Sequence, residues 1–183
     1  SGNLKRLALF QKAPELCLHD TNGQYIETQS IETDYLILFF YDHECEVCQA
    51  EAKDLKDLVQ RHNGIIVLAV DMNYDFQPID ESFINVSAMS SRGLDPTDAY
   101  CIENTPLVYV LDKDKRIIAK KLKAEQIYML LYQSHVNVHC SEDEPSSVAE
   151  PEASRSPYLR SLKKYANMAL TAPGILNFAA LPT

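Results

Sequence analysis

Two cysteines two residues apart, Cys45 and Cys48, are the side chains of this sequence best placed to do chemistry. They stand in Cys45-Glu46-Val47-Cys48, after the apolar run Tyr35-Leu36-Ile37-Leu38-Phe39-Phe40-Tyr41 and the polar triplet Asp42-His43-Glu44. An apolar run bounded by polar residues reads as a buried strand. The stretch that follows to Arg61, with Val47, Ala50, Leu55, Leu58 and Val59 on one side, reads as an amphipathic helix. The pair therefore sits where a strand hands over to a helix N-terminus. Unpaired N–H groups and the helix dipole favour negative charge there. A thiolate is such a charge, so Cys45 should be acidified and reactive. Cys48 falls one helical turn later, close enough for the two sulfurs to bond.

Other readings of the pair are a structural disulfide or half a zinc site. Zinc needs four ligands, and no second closely spaced Cys/His pair lies at finger spacing. His135 and His139 are four residues apart but lie far along the chain. Glu44 and Glu46 flank the first cysteine; carboxylates there should raise its pKa, which points to a reducing poise. His43 would act the opposite way when protonated, though a plain surface histidine is its ordinary reading. Glu51 follows Cys48 by three and faces the same side of the helix. The alternative for Glu51 is a solvated helix glutamate.

The remaining cysteines, Cys17, Cys101 and Cys140, are too scattered for a disulfide framework. Cys101, five residues before Pro106, is an extra thiol near the site or, more ordinarily, a buried unreactive cysteine. Net charge is −9, which argues against a nucleic-acid surface. No apolar run approaches the ~20 residues of a membrane span. The chain opens on Ser1-Gly2-Asn3 without an initiator Met, which reads as a processed or trimmed start from which any signal peptide has already gone.

The elements that must position the pair follow in order. Residues 1–13 read as a short helix or a lead-in strand. Glu15 to His19, the Asn22-Gly23 turn and Gln24 to Glu27 read as a hairpin. His62-Asn63-Gly64 stops the first helix. Ile65-Ile66-Val67-Leu68-Ala69-Val70 reads as a strand buried on both faces, completing a βαβ unit. Phe83 to Val86 is strand or helix. Asp95-Pro96 marks a helix start. Leu107 to Leu111, the turn Asp112 to Lys115, and Arg116 to Ala119 read as an antiparallel pair. Ala124 to Gln133 reads as a helix. From Cys140 the composition turns acidic and rich in Ser and Pro, so residues 1–140 read as one domain. Residues 141–183 then read as linker and tail, with a short amphipathic helix over Tyr158 to Leu170.

This order of elements resembles the thioredoxin fold, and specifically the extracytoplasmic TlpA/ResA-type thiol–disulfide oxidoreductases of Bacteroides-type secreted proteins. The matching pieces include Ala13-Pro14, Asp20-Thr21-Asn22-Gly23, the Cys45–Cys48 motif, Glu51, Val70-Asp71, Tyr100-Cys101-Ile102, Thr105-Pro106 and Leu111 to Lys115. The resemblance covers roughly residues 12–133. The resemblance implies an α/β class fold: a central mixed sheet flanked by helices, with the N-terminal hairpin as an extension. It implies that Glu51 takes and gives protons beside the cysteines. It implies a cis Thr105–Pro106 bond that packs on the cysteines and shapes the groove for an extended substrate; a trans proline opening a strand is the ordinary alternative.

On this reading Cys45 attacks, a mixed disulfide forms, and Cys48 resolves it. The implied partners are protein dithiols or disulfides and an upstream dithiol donor, with no cofactor, no metal and no nucleic acid. The implied compartment is the periplasm or cell envelope, with a lipid anchor on a precursor as one route there. Three features depart from the family. There is no Trp, and Tyr41 to Glu44 stand where one is usual; Asn104 replaces a glycine; Glu46-Val47 is an unusual central dipeptide. They bear on potential and partner choice, and motivate two rivals: a redox-inactive binding module, and metal delivery through Cys45, Cys48 and a histidine. A peroxiredoxin pattern is absent, since Leu38 and Asp42 stand where it needs Pro and Thr or Ser.

Overall fold

Strand β3 (Tyr35–Tyr41) is the middle of the molecule, and almost every residue along it is buried. Its side chains alternate between two cores, as the period of a strand requires. Ile37, Phe39 and Tyr41 enter one core with Leu55, Leu58, Ile127 and Leu131. Leu36, Leu38 and Phe40 enter the other with Leu16, Leu18 and Tyr100. A run of apolar residues without polar interruption is what a strand covered on both faces needs.

The structure, a computed structural model, describes residues 6–136. The expected linker and tail over 141–183, the helix over 158–170, Cys140 and His139 lie outside the described residues. The five-stranded sheet has the order β5-β4-β3-β6-β7. β4 (Ile65–Asp71) and β5 (Ile84–Ser87) run parallel to β3, joined to it through helix α1 (Glu46–Arg61). β6 (Leu107–Asp112) and β7 (Ile117–Lys120) are antiparallel. Before the sheet, β1 (Cys17–His19) and β2 (Tyr25–Glu27) pair as the expected hairpin. Helix α2 (Pro96–Tyr100) precedes β6, and α3 (Ala124–Val136) follows β7. This is the mixed sheet flanked by helices, with a hairpin extension, that the resemblance implies.

Both sheet edges are covered, which blunts an otherwise open pairing surface. Phe10 N–H donates to Ile117 O at 2.7 Å and Ile117 N–H to Gln11 O at 2.9 Å. On the far edge Asp20 bridges to Val86.

Two local expectations are corrected and one left open is resolved. The described part of residues 1–13 is neither helix nor strand; Phe10 takes φ 66°, and the segment lies along β7 instead. The stretch around Phe83 to Val86 resolves as strand β5, because β4 offers it a parallel partner. The buried stripe of α1 is Cys48, Glu51, Ala52, Leu55 and Leu58, while Val47 is 65% exposed and Ala50 faces solvent. Cys45 caps the helix, and that starting point turns Val47 one step away from the sheet.

Candidate active site

The turn out of β3 is built by short-range hydrogen bonds. Cys45 N–H donates to Asp42 O at 3.0 Å, and Asp42 Oδ1 accepts Glu44 N–H at 2.9 Å. The turn places Cys45 at the N-cap of α1 in an extended conformation (φ −85°, ψ 115°), the usual backbone of a cap. Caps are normally oxygen side chains; here the sulfur takes that role. Cys45 Sγ accepts the Cys48 backbone N–H at 3.3 Å. One of the orphan donors of the first helical turn is thus aimed at the sulfur.

Both cysteines are thiols, and they differ sharply in surroundings. Cys45 is half-buried, and its pKa is held below the ordinary thiol value. The hydrogen bond from the Cys48 thiol is the first cause and the Cys48 N–H the second; burial and the charge of Asp42 act against them. Cys48 is fully buried, and loss of hydration pushes its pKa up to about 11. A hydrogen bond from the Thr105 hydroxyl offsets part of that rise. The expectation that Glu44 and Glu46 would raise the Cys45 pKa is overturned. Both are exposed, the shift runs downward, and the carboxylate that opposes it is Asp42.

Thr105 reaches the site from just before the neighbouring strand β6, its hydroxyl hydrogen-bonded to Cys48. Phe40 pairs with Leu107 across β3 and β6, which sets the two preceding residues beside the end of β3. The Thr105–Pro106 peptide bond is cis, and both residues are half-buried. The segment leading to them is fixed upstream. Asp95 Oδ1 caps α2 by accepting Thr97 N–H at 2.8 Å, and Cys101 closes the helix in the left-handed region at φ 51°. Cys101 is half-buried rather than buried, because a C-cap position leaves its side chain at the rim of the fold.

Glu51 is not a solvated helix glutamate. It is 9% exposed, and its Oε1 accepts the backbone N–H of Ala124 at 2.9 Å. Burial raises its pKa, and the Ala124 hydrogen bond works the other way.

His43 is not a plain surface histidine either. Its Nδ1 lies 2.8 Å from Asp71 Oδ2, and its side chain is only 12% exposed. The Asp71 hydrogen bond raises its pKa, with burial opposing. The register of the two strands explains the contact: Tyr41 pairs with Asp71, so the residue after next in the turn lies over the end of β4. Asp71 also accepts Asn73 N–H at 3.0 Å and Gln77 N–H at 2.9 Å, while Asn73 Nδ2 donates to Asp42 Oδ1 at 3.2 Å. The loop after β4 is thereby tied to the turn that carries Cys45. The signal for this was present in the sequence, as a polar residue just past one apolar run and Asp71 closing the next.

Comparison with known proteins places this geometry in context. Residues 9–126 match the AhpC/TSA family. No curated protein matches the chain. Among solved structures it is similar to a domain of a possible thiol-disulfide isomerase from Cytophaga hutchinsonii, at 34% identity and a TM-score of 0.62, covering 75% of this chain and 99% of that one. It is also similar in fold to the thioredoxin domain of a thiol-disulfide oxidoreductase from Bacteroides vulgatus, at 18% identity, TM-score 0.58 and coverage of 70% and 98%. A thiol:disulfide interchange protein from a Bacteroides species shares the fold at 20% identity, TM-score 0.58 and coverage of 69% and 90%. The chain belongs to the AhpC/TSA family and is thioredoxin-like in fold, consistent with the TlpA/ResA-type resemblance.

Proposed function

We propose that this chain is a thiol–disulfide oxidoreductase acting on protein disulfides through Cys45 and Cys48, on the reducing side. The observation that carries the reading is the asymmetry of the pair. Cys45 is half-buried with a backbone N–H on its sulfur, whereas Cys48 is buried and kept protonated.

The steps follow from that asymmetry. The Cys45 thiolate attacks one sulfur of a substrate disulfide; a new S–S bond forms and the other substrate sulfur leaves as a thiolate. Cys48 loses its proton and attacks Cys45, which releases the second substrate thiolate and leaves a Cys45–Cys48 disulfide. Two electrons have moved to the substrate, and an upstream dithiol protein must return them. A thiol with so high a pKa needs a proton acceptor, and Glu51, one helical turn on with a raised pKa, supplies one. Thr105, whose hydroxyl hydrogen-bonds Cys48, and Pro106 next to it would line the contact with an extended substrate chain. No cofactor is required. The reducing direction follows the resemblance to thioredoxin-like reductants; the Cys45 pKa itself is lowered, and Asp42 only partly opposes that shift.

The family name does not bring peroxide chemistry with it, since Leu38 and Asp42 occupy the positions where that pattern needs other residues. By kinship with its neighbours the chain would work in the periplasm or cell envelope, with 1–140 as the working domain and 141–183 as a tail. Insulin reduction with a dithiol donor tests the activity. The wild-type chain should reduce insulin and Cys45→Ser should not; equal rates in both would discard the proposal.

A further inference from the structure

Asp71 is a buried charged residue to which the proposed mechanism gives no task. Asp71 ends β4 with no exposed surface. Every hydrogen bond of its carboxylate is accepted from an N–H donor: Asn73 N on Oδ1, Gln77 N and His43 Nδ1 on Oδ2. Its strand partner in register is Tyr41, four residues before Cys45. A buried anion therefore underlies the turn that carries the attacking sulfur. Like charges repel strongly where water is excluded, so an uncompensated carboxylate here would add to the opposition that Asp42 already sets against the Cys45 thiolate.

His43 is the group that faces it. The charges that act on the imidazole are Asp42 and Glu44 from its own turn and Asp71 from β4, which also acts on the Tyr41 phenol of β3. From α1, Gln49 Nε2 holds the His43 carbonyl at 2.9 Å, which fixes the turn from the helix side. The charged neighbours of the imidazole are thus all carboxylates, and the shortest contact is to the most buried of them.

We propose that His43 is a positioning residue for Cys45: its imidazolium neutralises the buried Asp71 carboxylate beneath the nucleophile and so keeps the Cys45 thiolate available at neutral pH. The inference rests on the reading of Cys45 as the attacking sulfur. A purely structural pin would behave differently, because any donor that reaches Asp71 replaces a pin, and only a cation replaces a counter-charge.

The test is the pH profile of Cys45 alkylation in the reduced full chain, followed with iodoacetamide and peptide mass mapping. His43→Asn keeps an amide donor near Asp71 and removes the charge. It should move the Cys45 profile to higher pH and slow alkylation at neutral pH about three- to tenfold, the equivalent of about half to one pKa unit. Adding Asp71→Asn removes the stranded anion and should bring the rate back to within about twofold of wild type. A His43→Asn profile that superimposes on wild type overturns the proposal, and so does a double variant as slow as His43→Asn alone. Circular dichroism checks each fold, and His43→Gln carries the same comparison where His43→Asn does not fold. A wild type that fails to reduce insulin while keeping the His43-dependent shift would overturn the proposed activity and leave this inference standing. An active wild type without the shift would overturn the inference alone.

Discussion

Glu51 Oε1 accepts the backbone N–H of Ala124 at 2.9 Å, joining the active-site helix to the first turn of α3 across 73 residues of chain. Lys123 N–H in turn donates to Gln126 Oε1 at 2.9 Å, which is half of a capping box. The start of α3 is thus satisfied by two side chains, one from its own helix and one from the active-site helix. Glu51 has two separable roles, an acceptor for that N–H and a carboxyl group one turn from Cys48.

Glu51→Gln separates them. The amide oxygen keeps the acceptor, so urea stability should stay near wild type, whereas Glu51→Ala strands a buried donor and should cost about 1–3 kcal/mol. The folded pKa of Glu51 is raised above its unfolded value, so the folded state holds the proton more tightly. Wild-type stability should therefore decline, relative to Glu51→Gln, as pH rises from the unfolded value through the folded one. Parallel curves for the two proteins would contradict this. If Glu51 also takes the Cys48 proton, Glu51→Gln slows disulfide exchange at unchanged stability, read by insulin reduction beside the urea midpoint.

The two thiols should be chemically distinguishable. At neutral pH, iodoacetamide should modify Cys45 well before Cys48 in the reduced protein, because one pKa is lowered and the other is near 11 and buried. Raising the pH toward that value should bring Cys48 into reaction. Mass mapping at matched times reads the order; equal labelling of both at neutral pH would contradict it.

The turn after α1 makes a stability prediction independent of the chemistry. Gly64 has φ +85°, and a Cβ there would lie 2.5 Å from Asp34 Oδ2. Gly23 has φ +76° with nothing within 4 Å. Gly23→Ala should cost only backbone strain, about 1 kcal/mol. Gly64→Ala should cost more, about 2–3 kcal/mol, as strain and crowding add. Asp34→Ala in the Gly64→Ala background should recover the crowding part, measured by urea midpoints.

Much of the frame was readable from residues alone. The β3–α1–β4 unit shows as two uninterrupted apolar runs around a periodic stretch, and Asp95-Pro96 does open a helix. The phase of α1 was not readable, because the turn that makes Cys45 the cap sets it, and Val47 looks like a core residue until that cap is known. The burial of Glu51 was not readable, because its partner is a backbone N–H far along the chain. His43 looked ordinary because its partner depends on the register of β3 against β4, and a register is a property of two strands that neither run displays.

The proposed activity requires the Cys45–Cys48 pair to exchange electrons with other dithiols. The direct measurement is a redox titration. The full chain is equilibrated in glutathione buffers of graded ratio, quenched with an alkylating reagent, and the Cys45–Cys48 disulfide is counted by mass spectrometry. The account predicts one two-electron transition, with a tenfold change in the equilibrium for each ~30 mV, centred on the reducing side of the glutathione range. A pair that stays dithiol, or stays oxidised, across every buffer would contradict it and leave a thioredoxin-like binding module in its place.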